Sequence, residues 1–311
     1  MTDTTGFPFP TLVNAGVPLQ IGVVKSVLVW VSRVAWVGQV LTLGPAIGQA
    51  LDGHSRAVQV VGTTVPWVVW AVVLLASLVP TTVSLTSLRL GTPTSLVAAV
   101  LAWINGASTS AGIIAVAGAL AAIAAAFSGD VGEAFVQGSA YGHERRLPLR
   151  PPGPVLMALP LIWAVPVAAI TAGTLGLAAG AWAWAVPTTA LGIGLTVLAA
   201  PRFHRLSRRW LVLVPAGVVV HDYTVLAETA MFQKPDLSGA SLALADSGAA
   251  NLTGTALGPA LEIRLRTMAT VVLAAPPRGQ TRALHVQSVL VSPTRPGRAL
   301  SHLDELGVPR G

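Results

Sequence analysis

Charge is scarce in this sequence, and its absence is concentrated in two long windows. Only 10% of the 311 residues are charged, against about 25% in a typical soluble domain. No Asp or Glu occurs between Asp52 and Asp130, and no charge of either sign between Arg150 and Arg202. A charge at the centre of a bilayer costs roughly 3 kcal/mol or more, so lipid as the surrounding solvent explains both windows. With a mean hydropathy of +0.70, the composition excludes an ordinary soluble domain.

Cysteine is also absent, which excludes a disulfide framework, thiolate catalysis, a zinc knuckle and an iron–sulfur site. The sequence has no HExxH, Walker or GxGxxG motif. We therefore predict no metal, no cofactor and no enzymatic activity. The net charge of +7 does not indicate a nucleic-acid partner, because the basic residues cluster at the ends of apolar segments and no recognition motif accompanies them. Their expected partners are membrane lipids.

About 20 apolar residues are needed to cross the hydrocarbon layer as a helix. Four segments meet this requirement, and they are Val34–Leu51, Thr63–Pro80, Val155–Leu175 and Ala179–Ala199. The stretch 92–127 is too long for one span, and the polar cluster 105–110 divides it. We interpret it as two helices, 93–106 (extended backward through Leu88) and 110–127. The sequence thus predicts a transmembrane domain of about six spans over 26–201, after a flexible leader at 1–25.

The basic residues also predict the orientation of the chain. With six spans and a cytoplasmic N-terminus, only Arg56 lies in an outer loop, and the inner side holds Lys25, Arg33, Arg89, Arg145, Arg146, Arg150, Arg202, Arg205, Arg208 and Arg209. This asymmetry is typical of cytoplasmic loops. A five-span arrangement, which moves the first three of these residues outside, stays open. We expect a multi-pass protein of the bacterial inner (plasma) membrane with both termini, and the long loop 128–154, in the cytoplasm.

Residues 202–311 have the alternation and turns of a small β domain. Expected strands are 210–214 and 218–220, joined by a turn at Pro215–Gly217, and then 241–245, 261–265, 270–274 and 283–291. Leu300, Leu303 and Leu306 form the apolar stripe of a short final helix. This arrangement resembles the pleckstrin-homology-like domains of bacterial membrane proteins over about 205–308. The segments HERRLPLRPPGP and SRRWLVLVPAGVVVHD resemble uncharacterised actinobacterial membrane proteins, a group that implies no activity.

Two basic clusters are the candidate binding residues. Arg202, Arg205, Arg208 and Arg209 directly follow the last span, and Arg145 and Arg146 lie in the loop 128–154. Juxtamembrane cations attract anionic headgroups by about 1 kcal/mol each, although the same residues also serve simple orientation. We interpret the protein as a membrane scaffold or adaptor whose C-terminal domain binds a protein partner or anionic lipid headgroups.

Two other functions stay open. A transporter or channel subunit for a neutral or lipidic solute would use a polar cavity lined by Gln39, Asn105 and the prolines of the spans. A lipid enzyme would use His143 and Glu144 as acid and base. The segment 221–223 (His-Asp-Tyr) is interpreted as a polar turn between strands. Small residues such as the pair in 44–48 (GPAIG) allow close helix packing and make a homo-oligomer possible.

Overall fold

The structure is a computed structural model that describes residues 27–275 and 280–311. The leader expected at 1–25 and Lys25 lie outside the described residues. Within them, six helices are long and apolar enough to cross a membrane, namely Val27–Leu51, Arg56–Leu78, Thr82–Ile104, Thr109–Ala126, Gly153–Ala178 and Trp182–Ser207. An antiparallel β domain and a C-terminal helix follow them. The expected sequence of elements, six long apolar helices before a small β domain, is confirmed.

The long helices are subdivided where Gly or Pro interrupts them. The helices are α1 (Val27–Val37), α2 (Gln39–Thr42), α3 (Gly44–Leu51), α4 (Arg56–Leu78), α5 (Thr82–Gly91), α6 (Thr94–Ile104), α7 (Thr109–Ala126), α8 (Gly129–Gln137), α9 (Gly153–Ala178), α10 (Trp182–Ser207) and α11 (Pro296–Glu305). The strands are β1 (Arg145–Pro148), β2 (Trp210–Val214), β3 (Gly217–His221), β4 (Ala230–Gln233), β5 (Leu237–Leu242), β6 (Ala250–Asn251), β7 (Leu261–Ala275) and β8 (Gln280–Val291).

Four helices begin at a Ser or Thr that accepts a hydrogen bond from a backbone N–H of the first turn. These N-caps are Ser55 for α4, Thr81 for α5, Ser108 for α7 and Ser128 for α8. Because the first N–H groups of a helix have no partner within it, such a side chain fixes where the helix starts. Short turns therefore join the first four long helices, and α8 follows the fourth directly.

The α1–α3 and α4 segments are joined by two tryptophans. Trp36 Nε1 donates to the backbone carbonyl of Trp70 at 2.9 Å, and Trp70 Nε1 donates to that of Trp36 at 3.0 Å. Arg33 lies inside the first long helix rather than in a loop, and its guanidinium donates to the Ser77 carbonyl near the end of α4. Carbonyl groups in the last turn of a helix have no donor within the helix. Arg33 therefore supplies the hydrogen-bond donor for a carbonyl at the C-terminus of α4.

Helices α9 and α10 form a close hairpin because glycines line their contact. A Cβ atom on Gly173 would lie 2.2 Å from Thr189 Oγ1 and 2.8 Å from the Thr189 backbone nitrogen. Gly176 meets the Trp184 ring in the same way, and Gly192 meets Ile170. Only hydrogen fits at these positions, which lets the two backbones approach. The hairpin packs on α4 and α5.

The β domain consists of two four-stranded sheets with the strand orders β1-β2-β3-β4 and β5-β7-β8-β6. Their facing sides, together with α11, enclose an apolar core that includes Leu211, Phe232, Leu261, Val289 and Leu303. All strand pairs are antiparallel except the short β6 with β8. The inward-facing residues of β2 enter this core, while Trp210 and Val212 point to the helices.

Several strands differ from those expected. The two strands expected at 261–265 and 270–274 are one strand, β7, whose register shifts between Arg264 and Ala269. Strand β5 begins at Leu237, four residues earlier than expected. Strands β1, β4 and β6 were not expected, because each has four residues or fewer.

The loop 128–154 belongs to both parts of the molecule. Its first half is α8, whose apolar face (Val131, Phe135 and Val136) packs with Val29 and Leu85 of the helix bundle. Its second half contains β1, which pairs with β2 in the first sheet of the β domain. The β domain therefore includes a strand, β1, that comes before the last two long helices in the sequence.

Ion pairs join α8 to α11 on the outside of this junction. Asp130 accepts from Arg295 and lies 3.5 Å from an Arg298 nitrogen, and Glu133 accepts from Arg298 at 2.9 Å. The C-terminal helix is thus attached to the segment that covers the end of the bundle. Hydrophobic contact and these charges together hold the β domain against the helices.

Candidate functional site

A cleft of about 530 Å³ lies where the β domain meets the helix bundle. One wall is the outer face of β2 and β3, with Val212, Val214 and Val219. The opposite wall comes from the start of α5, the end of α10 and the segment between α8 and β1. We call this space the basal cleft. Its polar lining consists of Thr82, Ser139, Tyr141, Glu144, Arg146, His204, Arg208 and His221, with Trp210 between them.

Arg146 reaches the basal cleft because side chains alternate along β1. Its guanidinium lies over Trp210, 5.1 Å from the ring centroid, and forms an ion pair with Glu144. The Arg146 Nε atom is buried and has no hydrogen-bond partner among the described residues. Glu144 also accepts from the Tyr141 backbone N–H at 2.7 Å. Glu144 therefore satisfies only part of the hydrogen-bonding capacity of the Arg146 guanidinium.

Arg208 follows the last turn of α10 and lines the same cleft. It is exposed, and no carboxylate of residues 27–275 or 280–311 forms an ion pair with it. With Arg146 partly neutralised by Glu144, Arg208 leaves the basal cleft with a net positive charge. A cleft of this charge favours an anion.

His221 lies at the end of β3, directly opposite Trp210 in the β2–β3 register. Its ring stacks on the indole with centroids 5.0 Å apart and planes 9° apart, and Tyr223 meets it edge-on at 4.6 Å. Burial lowers the pKa of His221, the charges of Arg208 and Arg146 lower it further, and the Asp222 carboxylate opposes them. The imidazole is thus held in its neutral form more strongly than a histidine in water.

His204, one turn before Arg208, connects the basal cleft to the bundle. Its Nδ1 lies 3.0 Å from Thr86 Oγ1, which also donates to Ser207 Oγ at 3.0 Å. The contact fixes α10 against α5 at the level where the long helices end. It also orients one wall of the cleft.

Of the six candidate arginines, the structure brings Arg146 and Arg208 together. Arg202 and Arg205 are exposed on the preceding turns of α10 and do not line the basal cleft. Arg145 points the other way along β1, where its Nη1 lies 2.9 Å from His302 of α11. The six residues therefore occupy different surfaces, although they are near each other in sequence.

Arg209 is inside the protein. Its Nη2 donates to Asp222 Oδ2 at 2.6 Å and its Nε to Oδ1 at 2.8 Å, and both side chains are 1% exposed or less. Its Nη1 donates to the Arg150 carbonyl, which precedes α9. Asp222, expected in a polar turn, is therefore the buried partner of an arginine that joins the start of β2 to the entry of α9. Arg209 is not accessible to a headgroup.

The sequence contains only weak signals for the cleft residues that were not predicted. His204 is spaced four residues before Arg208, which places both on one side of α10. His221 faces Trp210 only through the strand register, which the tight turn at 215–217 sets. Thr82 and Ser139 come from segments that no local pattern connects to β2.

Comparison of the chain with models of protein families, with curated proteins and with solved structures finds no match. The function is therefore inferred from the geometry of the basal cleft. In the described part of the chain, no three His, Asp or Glu side chains are grouped as a metal site requires. His143, the expected base beside Glu144, is exposed, and Glu144 is occupied by Arg146 and the Tyr141 backbone.

Proposed function

We propose that this protein is a non-enzymatic multi-pass membrane adaptor that binds an anionic lipid headgroup in the basal cleft. The six long apolar helices support insertion into a bilayer. The cleft lies at the start of α5 and the end of α10, the level at which such helices leave the hydrocarbon layer. A headgroup from the surrounding leaflet could enter it without leaving the membrane surface.

The observation that carries this proposal is the pair Arg146 and Arg208. Arg208 has no acidic partner in the described ranges, and Arg146 keeps a buried Nε without an acceptor. Phosphate oxygens are suitable acceptors for guanidinium groups. The valines of β2 and β3 offer an apolar wall to the acyl chains next to the glycerol. The cleft thus combines the two chemistries of a phospholipid.

We further propose that the β-domain end faces the cytoplasm of a bacterial cell. The turns at the other end of the bundle carry little charge, with Asp52, His54 and Arg56 in the first and no ionisable group in 105–108 or 179–181. The β-domain end carries the arginines discussed above, which favours the cytoplasmic side. The pleckstrin-homology-like character of the domain and a protein partner stay predictions.

Lipid binding can be measured on the full-length protein in neutral detergent by calorimetric titration with dioctanoyl phosphatidylglycerol. Replacing Arg146 and Arg208 by Gln should weaken binding about tenfold or more, because hydrogen bonds to charged groups contribute roughly 1.5–3 kcal/mol. Arg202→Gln with Arg205→Gln is the matched control, since it removes the same charge from exposed positions outside the cleft. Equal loss in both double variants would show a diffuse charge effect and contradict the proposal.

One observation favours transport as a second candidate function. Gln39 lies midway along the first long helix with 1% exposure, and neither atom of its amide group has a hydrogen-bond partner among the described residues. Such a group is expected to meet water or a polar solute. Asn105, in contrast, is exposed at the far end of the bundle and donates to the Leu101 carbonyl.

The transport candidate predicts that Gln39→Leu abolishes uptake of a neutral solute by proteoliposomes while preserving the folded bundle. A variant that is more thermostable and transports as well as the parent would remove this candidate. Leu is similar in size to Gln and has no polar atom, so the variant removes the unpartnered amide group without leaving a cavity.

A further inference from the structure

His221 has an unusual combination of contacts in the basal cleft. One ring face stacks on Trp210, and Nδ1 lies 3.4 Å from Thr229 Oγ1. The other nitrogen, Nε2, is buried without a hydrogen-bond partner among the described residues. The buried Arg146 Nε in the same cleft also lacks an acceptor. His221 and Arg146 belong to β3 and β1, the strands on either side of β2, and both side chains line the basal cleft. Two buried nitrogens without a partner in one cleft indicate that the cleft suits a hydrogen-bond acceptor.

We infer that His221 is a ligand of the bound phosphate, donating from Nε2 as the imidazolium, and that lipid binding is therefore coupled to the uptake of a proton by the ring. This inference rests on the proposed function and adds a residue and a pH dependence to it. The imidazole donates from Nδ1 to the Thr229 hydroxyl and from Nε2 to a phosphate oxygen when both nitrogens carry hydrogen. Histidine is suited to this role because its charge changes near neutral pH.

The charges around His221 determine the direction of the effect. From α10 it faces Arg208 and His204, and from the α8–β1 segment and β1 it faces Arg146, Glu144 and Tyr141. Its own strand end contributes Asp222 and Tyr223, but Asp222 is already paired with Arg209. Burial and the two arginines therefore oppose protonation of the imidazole.

A bound phosphate reverses this balance. Its negative charge lies between the arginines and the imidazole, so it favours the protonated ring and raises the pKa of His221. By linkage, a ligand that raises a pKa binds more tightly as the pH falls toward that pKa. A guanidinium group does not titrate near neutral pH, so a headgroup held by arginines alone would bind independently of pH in this range.

The test is titration of the full-length protein with dioctanoyl phosphatidylglycerol at about pH 5.5 and about pH 8. The phosphodiester keeps one negative charge over this range, so the lipid does not contribute to the pH dependence. We expect about tenfold tighter binding at the lower pH, the gain of one charge-assisted hydrogen bond. Titration in two buffers of different ionisation enthalpy should show net proton uptake at the intermediate pH, at most about half a proton for a tenfold change in affinity.

Three variants separate His221 from the other groups. His221→Gln should bind weakly at both pH values, and His221→Arg should bind tightly at both, because its charge is permanent. His285→Gln is the matched control, since His285 is exposed on β8 and also lies near a threonine hydroxyl, 3.0 Å from Thr270 Oγ1. It should keep the pH dependence of the parent.

The outcomes distinguish this inference from the proposed function. If the parent binds the lipid through Arg146 and Arg208 but with equal affinity at both pH values, His221 is not a ligand and the adaptor function stands. A pH dependence that persists in His221→Gln would assign the proton to another group, such as His204, and overturn the inference. Inorganic phosphate at equal concentration should compete weakly, and equal affinity for it would overturn the choice of a lipid.

Discussion

Arg209 and Arg208 are adjacent in sequence but have different environments. Arg208 is exposed in the basal cleft, and Arg209 is enclosed with Asp222, which also accepts from the Thr224 N–H and hydroxyl. A buried ion pair is stable only when its remaining hydrogen-bonding groups are satisfied, and here the Arg150 carbonyl accepts from the arginine. At this scale, charge alone does not show which arginine lines the basal cleft, because burial decides which side chain is accessible.

We expect Arg209→Ala to lower the free energy of unfolding of the β domain by about 3–5 kcal/mol, since it leaves the Asp222 carboxylate buried without a counter-charge. Denaturant unfolding followed by circular dichroism on the detergent-solubilised protein measures the loss. Replacing both partners, Arg209→Met with Asp222→Leu, should cost clearly less. Arg205→Ala, an exposed neighbour, serves as the control and should have little effect.

The environment of His221 also predicts how the stability of the protein depends on pH when no lipid is bound. Its pKa is lower in the folded protein than in the unfolded chain, mainly because of burial. The unfolded chain therefore binds more protons at acid pH, and the contribution of His221 to stability is present above its ordinary pKa of about 6.5 and lost as the pH falls through the folded value.

The melting temperature should accordingly fall between about pH 7.5 and pH 5.5, and by less in His221→Gln than in the parent. Thermal melts in the absence of anionic lipid measure both. An identical fall in the two proteins would mean that the imidazole titrates normally in the empty cleft.

At the scale of elements, the α9–α10 hairpin depends on residues without side chains. Gly173→Ala places a methyl group against the Thr189 backbone, which cannot move aside as a flexible side chain can. We expect overpacking to cost about 1–3 kcal/mol and to lower the melting temperature. Gly194→Ala on α10 is the matched control, because nothing lies within 4 Å of its Cβ position. Equal melting temperatures would contradict the close approach of the two helices.

Apolar length predicted six long helices, because each is a segment of 18 to 26 residues that contains few charged side chains. Strands β2, β3 and β8 were also predictable, because each alternates or is bounded by a turn. Strand β1 was not, since its four residues, Arg145–Pro148, contain two arginines and a proline. Its pairing with β2 is long-range, and local patterns contain no information about such contacts.

The same limit explains the basal cleft. Arg146 and Arg208 were candidates because of their charge, but their convergence depends on β1 joining the first sheet. Ser139 and Thr82 meet them only when α8 packs over the start of α5. The sequence therefore predicted that arginines would be candidates, but it did not predict which residues line the same cleft.

For the whole molecule, the absence of cysteine makes the proposed orientation directly testable. Single substitutions His54→Cys and Ala181→Cys lie in turns at the far end of the bundle, and Ser301→Cys lies at an exposed position of α11, beside the β domain. With a membrane-impermeant maleimide on intact cells, the first two should react and the third should react only after lysis. Reaction of all three in intact cells would place both ends on the outside and contradict the topology.

Strand β1 has a consequence for how the protein is made. The ribosome synthesises it before the last two long helices, yet its pairing partner emerges only after them. Strand β1 must therefore stay unpaired until the α9–α10 hairpin has been synthesised and β2 has followed it. A fragment beginning at 202 would lack Leu147 and Leu149 from its core, so we expect the C-terminal region to be less stable when it is separated from the segment that contains β1.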